Sequence, residues 1–192
     1  IKLVNHHGSK PYKLNVPIYD NFNIKTNSQQ LKGTINVNED LIFKHDVIIS
    51  PGTIFKLNKG VSIIFKNKVM ANGTKKNPII FESSDPKFFW GTIALSGHKT
   101  SNSVINYVII KGGSGDVVND IKYTSMLSLH NTKNIKLSNI ELSNNNFFDD
   151  MMHIIYSHDI DINNSKFSKS KYDAIDVDIS TNINFNNLEI YE

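Results

Sequence analysis

The chain has no cysteine and no arginine. Without thiols there is no disulfide framework, no thiolate metal site and no cysteine nucleophile. Without guanidinium groups it cannot grip guanine edges bidentately, and its 21 lysines are spread along the chain instead of forming a stripe. Nucleic acid is therefore excluded as an expected partner, and the net charge of +3 belongs to a solvated surface. No apolar run reaches the roughly 20 residues of a membrane-spanning helix, so membrane insertion is not expected. No segment shows an apolar period of 3.6 either, which argues against helices. What the chain does have is 39% hydrophobic residues in a length of 192. That is enough for one domain with a continuous core.

A pattern of about 23 to 25 residues recurs three times after Met126. Shifting by 25 and then by 23 aligns six columns: Leu127/Met152/Ile175, Leu129/Ile154/Val177, Ile135/Ile160/Ile183, Leu137/Ile162/Phe185, Ile140/Ser165/Leu188 and Leu142/Phe167/Ile190. Within each copy the apolar residues alternate with period 2 between sharp bends. Short strands stacked coil on coil, as in a β-solenoid, satisfy both the period and the alternation. Parallel crossovers are overwhelmingly right-handed, so the predicted fold class is an all-β, right-handed parallel β-helix. A bend column of asparagines, Asn139/Asn164/Asn187, predicts an inward amide ladder, because asparagine tolerates left-handed torsions and can bond to the coils above and below.

Earlier residues carry weaker strand signals at 41–43, 47–49, 53–57, 61–65, 78–82, 91–95 and 104–110, punctuated by Pro51-Gly52, Asn72-Gly73 and Gly112-Gly113. The coil before the clear repeat aligns as well, with Ile93 and Leu95 over Leu127 and Leu129, and Ile105, Val108 and Ile110 over Leu137, Ile140 and Leu142. Residues 112–125 form a long inserted loop at one corner. Residues 1–30 are polar and aperiodic, which predicts an irregular N-terminal extension before a β-helix over 31–192. The chain starts at Ile1 without an initiator Met and stops at Glu192 inside the repeat. The expectation is a piece of a longer protein whose chain continues beyond residue 192, with an open C-terminal edge prone to association.

The run at residues 49–60 (ISPGTIFKLNKG), the run at 71–81 (ANGTKKNPIIF) and Trp90-Gly91 resemble the opening coils of secreted bacterial parallel β-helices. Together with the repeats after Met126, they make residues 31–192 similar to the pectate-lyase-like superfamily. That resemblance implies a secreted or cell-surface domain that acts on or binds a polysaccharide or cell-surface glycan. The alternative, from a different class, is a noncatalytic structural or adhesive spacer.

Residues able to carry chemistry gather before and within the first strand of the last two coils. Because Met152, Ile154, Ile175 and Val177 point inward, alternation turns His153, Asp176 and Asp178 outward. The 23-residue shift also sets Asp150 beside Asp173 and His153 beside Asp176, about 4.8 Å apart in the backbone. Three readings stand open for this acidic corner. The charges are a solvated face; or Asp149, Asp150, Asp173, Asp176 and Asp178 hold calcium; or Asp150, Asp173, Asp176 and His153 perform acid and base catalysis on a glycosidic bond. The spacing from Asp150 to Asp173 resembles that of the acidic strand starts of polygalacturonases, although Tyr172-Asp173 stands where that family has paired aspartates. Asp116 and Asp120 belong to the inserted loop at the same corner. His130 faces outward in the column of Asp178 and is expected to be a lone surface histidine. His6-His7 is an unassigned pair in the extension. Trp90 is expected to cover the core, with Phe88-Phe89 as the competing sugar platform.

Overall fold

The computed structural model describes residues 28–145 and 147–191. Strands of period 2 can bury one face only by stacking like on like, and the observed register does this. Leu127 pairs with Met152 and Met152 with Ile175; Ile135, Ile160 and Ile183 follow one another, as do Leu137, Ile162 and Phe185, and Leu142, Phe167 and Ile190. The preceding coil is in the expected register too, with Ile93 on Leu127 and Ile105 on Leu137. The chain is a right-handed parallel β-helix.

Two parallel sheets form its walls. The six-stranded sheet is built from Leu41–Phe43, Ile63–Phe65, Ile93–Ser96, Ser125–His130, Asp150–Ile155 and Ile175–Asp178, stacked in sequence order. The ten-stranded sheet starts at Gln29–Leu31, two residues before the expected boundary, and in the early coils consists of paired short strands such as Val69–Asn72 and Ile79–Ser83. From Val104–Lys111 onward the two halves merge into one bent strand per coil: Lys133–Ser143, His158–Ser168 and Thr181–Tyr191. Residues 1–27, with His6-His7, lie outside the described residues.

Each late coil turns at left-handed residues that recur in columns. Gly97, Asn131, Tyr156 and Ile179 form the first column; Asn102, Asn134, Asp159 and Asn182 the second; Tyr107, Asn139, Asn164 and Asn187 the third; Gly112, Asn144 and Lys169 the fourth. Positive φ is cheapest for glycine and asparagine, which explains why asparagine dominates these corners. The inward ladder expected at Asn139, Asn164 and Asn187 is corrected here. Asn139 is half-buried and the other two are exposed, because a left-handed corner between two inward residues aims its own side chain at solvent. The amides still bond from coil to coil, Asn187 to Asn164 at 2.8 Å along the column and Asn139 to Asn106, the neighbour of Tyr107 in the preceding coil, at 2.9 Å. Between them Ser165, the polar exception in its apolar column, is buried and its hydroxyl accepts from the Ile140 N–H and donates to the Asn163 carbonyl.

The core is one continuous cluster from Leu31 to Phe167, including stacked Phe43–Phe65 and Phe55–Phe81 ring pairs. Trp90 is buried with its Nε1–H on the Lys111 carbonyl, so it covers the core as expected. On the last coil Phe185 and Ile190 are exposed, since no further coil packs on them among the described residues. The inserted loop is more ordered than expected. It contains an antiparallel hairpin, Asp116–Val118 with Ile121–Tyr123, whose turn residues Asn119 and Asp120 both have positive φ. That is the type I′ geometry favoured in two-residue hairpins. Val118 and Tyr123 pack on Ile42, Ile64 and Ala94, so the hairpin covers part of the outer face of the six-stranded sheet. Asp116 fastens it by accepting from Ser62 Oγ at 2.6 Å. A Cβ on Gly91 would lie 2.1 Å from that Ser62 oxygen, so a larger residue here would have to displace the Ser62–Asp116 hydrogen bond.

Ile179 is a β-branched residue at φ 43°, an expensive conformation for its side chain. Replacing Ile179 by Gly or Asn should raise unfolding stability by about 1 kcal/mol in denaturant titrations, whereas Asn164→Leu should lower it by a similar amount. Equal effects of both substitutions would contradict the corner assignment.

Candidate functional site

The six-stranded sheet presents Ser128, His153 and Asp176 as cross-strand neighbours, and His130, Ile155 and Asp178 as the next outward column. Because the hairpin and Thr124 close over this face, His153 is only 6% exposed although it points away from the core. Its Nδ1 lies 3.0 Å from Thr124 Oγ1, and Thr124 donates to Asp150 Oδ2 at 3.2 Å. On the other side of the ring, Nε2 lies 3.3 Å from Asp178 Oδ2 and 3.8 Å from Asp176 Oδ2. Donor atoms of His153, Asp176 and Asp178 all fall within 4.8 Å of one another. The result is a line of side chains, Asp150, Thr124, His153 and then the two aspartates, running from a buried carboxyl to solvent.

Burial raises the Asp150 carboxyl to about 6, helped by the negative charges of Asp176 and Asp149 and opposed by the Thr124 hydrogen bond. At the solvent end the Asp176 and Asp178 side chains are 39% and 54% exposed. A carboxyl with its pKa raised toward neutrality, linked through Thr124 and His153 to two accessible carboxylates, is an arrangement suited to proton transfer.

The site is smaller than the acidic corner expected from spacing. Asp173 adjoins Asp150 only through the backbone, its carbonyl accepting from the Met151 N–H, while its side chain is exposed and outside the hydrogen-bonded line. The reason is local: the strand that carries Asp150 begins at Asp150, but its neighbour begins at Ile175, so strand alternation does not reach Asp173. Asp149 is likewise exposed and acts on Asp150 only by its charge. Of the five aspartates expected around calcium, only Asp176 and Asp178 converge, and they do so with His153. Asp116 serves the hairpin, and Asp120 its turn.

No protein-family model, curated protein or solved structure matches the chain. The chemistry of this face therefore has to be read from its own side chains.

Two residues enter that spacing did not identify. Thr124, the last residue before the strand Ser125–His130, links Asp150 to His153; nothing in its sequence context marks it beyond its place at the corner. His130 is not a lone surface histidine. Its ring meets His153 edge-on at 5.5 Å and lies 4.7 Å from Tyr123. Diagonal neighbours on one face of a sheet are within reach of rings, and Tyr123 of the hairpin then covers the pair. Burial lowers the His130 imidazole to about 4, reinforced by the positive charges of His153 and Lys66. Its Nε2 is buried with no hydrogen-bond partner among the described residues. Phe88, Phe89, Phe147 and Phe148 line a separate cleft of about 290 Å³ above Trp90, with Lys59 over the Phe88 ring.

The two shifted groups pull stability in opposite directions. Asp150 has its folded pKa raised from 3.8 to about 6, so its contribution is present at low pH and lost as pH rises through that window. His130 has its folded pKa lowered from 6.5 to about 4, so its contribution is present at neutral pH and lost as pH falls. Between about pH 4 and 6 the slopes oppose each other. Relative to the parent chain, Asp150→Asn should make stability rise more steeply with pH in this window, and His130→Gln should make it fall, as measured by urea titrations at several pH values. Parallel profiles for all three chains would refute the burial of both groups.

Proposed function

We propose that this β-helix binds a polysaccharide across the outer face of its six-stranded sheet and hydrolyses a glycosidic bond there. The observation that carries the reading is the line from Asp150 through Thr124 and His153 to Asp178, ending at solvent beside Asp176. Glycoside hydrolysis needs one group that protonates the leaving oxygen and one that activates water or attacks carbon. Asp178, sharing a proton with His153, fits the first role, and Asp176 the second. With their oxygens within 4.8 Å, the two carboxylates fit a double displacement. Asp176 attacks the anomeric carbon as its bond to the leaving oxygen breaks, and that oxygen takes the proton held between His153 and Asp178. Water then breaks the glycosyl–Asp176 bond, leaving its hydroxyl on carbon and its proton on Asp178. Asp150 acts through Thr124 as a positioning residue, holding the His153 ring and its proton in place. The resemblance to pectate-lyase-like domains supports a glycan substrate and a secreted or cell-surface setting.

The test is a screen of neutral and acidic polysaccharides for new reducing ends, followed by variants on the best substrate. Asp176→Asn and Asp178→Asn should each lower turnover by about 100-fold or more with melting temperature retained, since both residues are partly exposed. Asp150→Asn should move the limbs of the pH–rate profile, a readout that loss of packing alone would not change. Absence of binding and cleavage across the screen would leave the spacer reading in its place.

A further inference from the structure

The gap between His153 and its two aspartates has the chemistry of a metal site. The Thr124 hydroxyl has one hydrogen, and it donates to Asp150 Oδ2. With Asp150 ionised, Nδ1 of His153 must therefore carry the hydrogen of the 3.0 Å contact to Thr124, and Nε2 presents a lone pair. That lone pair faces Asp178 Oδ2 at 3.3 Å and Asp176 Oδ2 at 3.8 Å. Three electron pairs directed at one space suit a cation among them, either a proton or a metal ion. Ligands about 2.1 Å from a tetrahedral zinc ion stand about 3.4 Å from one another, so the two His153 spacings are close to those of a bound ion, while the aspartate oxygens, within 4.8 Å of each other, would draw together by up to about 1.4 Å. The exposed side of the two aspartates leaves room for water as a fourth ligand.

A second observation comes from the neighbouring ring. His130, whose Nε2 is buried with no hydrogen-bond partner among the described residues, stands beside His153 with the rings edge-on at 5.5 Å. The edge-on contact with His130 and the Thr124 hydroxyl hold the buried His153 ring between them, with its Nε2 toward the two aspartates.

We propose that His153 Nε2, Asp176 and Asp178 bind one divalent transition-metal ion of the zinc class, with the Thr124–Asp150 pair orienting the imidazole from behind. An imidazole ligand separates this site from calcium, which takes oxygen ligands almost exclusively. The hydrogen bond from Nδ1 is the outer contact that metal-binding histidines usually make. This inference rests on the same site as the hydrolytic reading and deepens it by exchanging the shared proton for an ion: a water bound there would supply both the new hydroxyl and the leaving oxygen's proton, with Asp176 and Asp178 as ligands.

Isothermal titration of the 192-residue chain with Zn²⁺, and separately with Ca²⁺, tests it. All chains carry His6→Gln and His7→Gln so that the N-terminal pair contributes nothing. The expected result is saturable binding of one Zn²⁺ with a raised melting temperature. Thr124→Val should weaken binding by about 10- to 100-fold. His153→Gln and Asp178→Asn should weaken it further, while Asp149→Asn and Asp173→Asn leave it unchanged. No saturable binding, tighter binding of Ca²⁺ than of Zn²⁺, or binding unaffected by His153→Gln and Asp178→Asn would each overturn the proposal. No glycan is present in the titration, so failure to find a substrate for hydrolysis does not alter its outcome.

Discussion

The structure depends on one constraint: each coil must offer its backbone hydrogen bonds to the next coil in parallel register. A strand in such a stack has no partner within its own coil, so a shift of one residue would turn every inward side chain outward. The corners must consequently fall at the same place in every turn. Columns of left-handed asparagine and glycine meet that requirement, and the amides of Asn164 and Asn187 then bond along the column instead of competing with the ladder. Apolar stacking and corner geometry are thus two consequences of a single repeat.

This also explains how much could be read in advance. The columns from Leu127 to Ile190, and their extension back to Ile93 and Ile105, were legible because stacked coils repeat their apolar spacing in the chain itself. The outward placement of His153, Asp176 and Asp178 followed from the same alternation. The direction of side chains at corners did not, since alternation ends where the strand ends. Hence Asn164 and Asn187 face solvent, and Asp173 stands apart from Asp150.

The cover over the six-stranded sheet was the harder feature. Its contacts join Val118 and Tyr123 to Ile42 and Ile64, residues far away in the chain whose outward apolar side chains look like ordinary strand composition. A local signal was present in Asn119-Asp120 between Val118 and Ile121, a sequence suited to a tight hairpin. Without that hairpin, the His130 ring that stands edge-on to His153 would lose the cover of Tyr123. The burial of that ring, and with it the shift of the His130 imidazole, is a tertiary effect of an insertion that the repeat does not encode.

Because the hairpin enters and leaves at a corner, it adds residues without disturbing the rise from one coil to the next. Gly112 still bonds to Ser143, and Ser125 still stands over Asp150, as though the extra residues were absent. A solenoid built this way separates scaffold from accessory: the walls set where side chains stand, and a corner insert sets how wet they are. Exchanging one insert for another would retune the acidity of the same histidine while leaving every strand where it was.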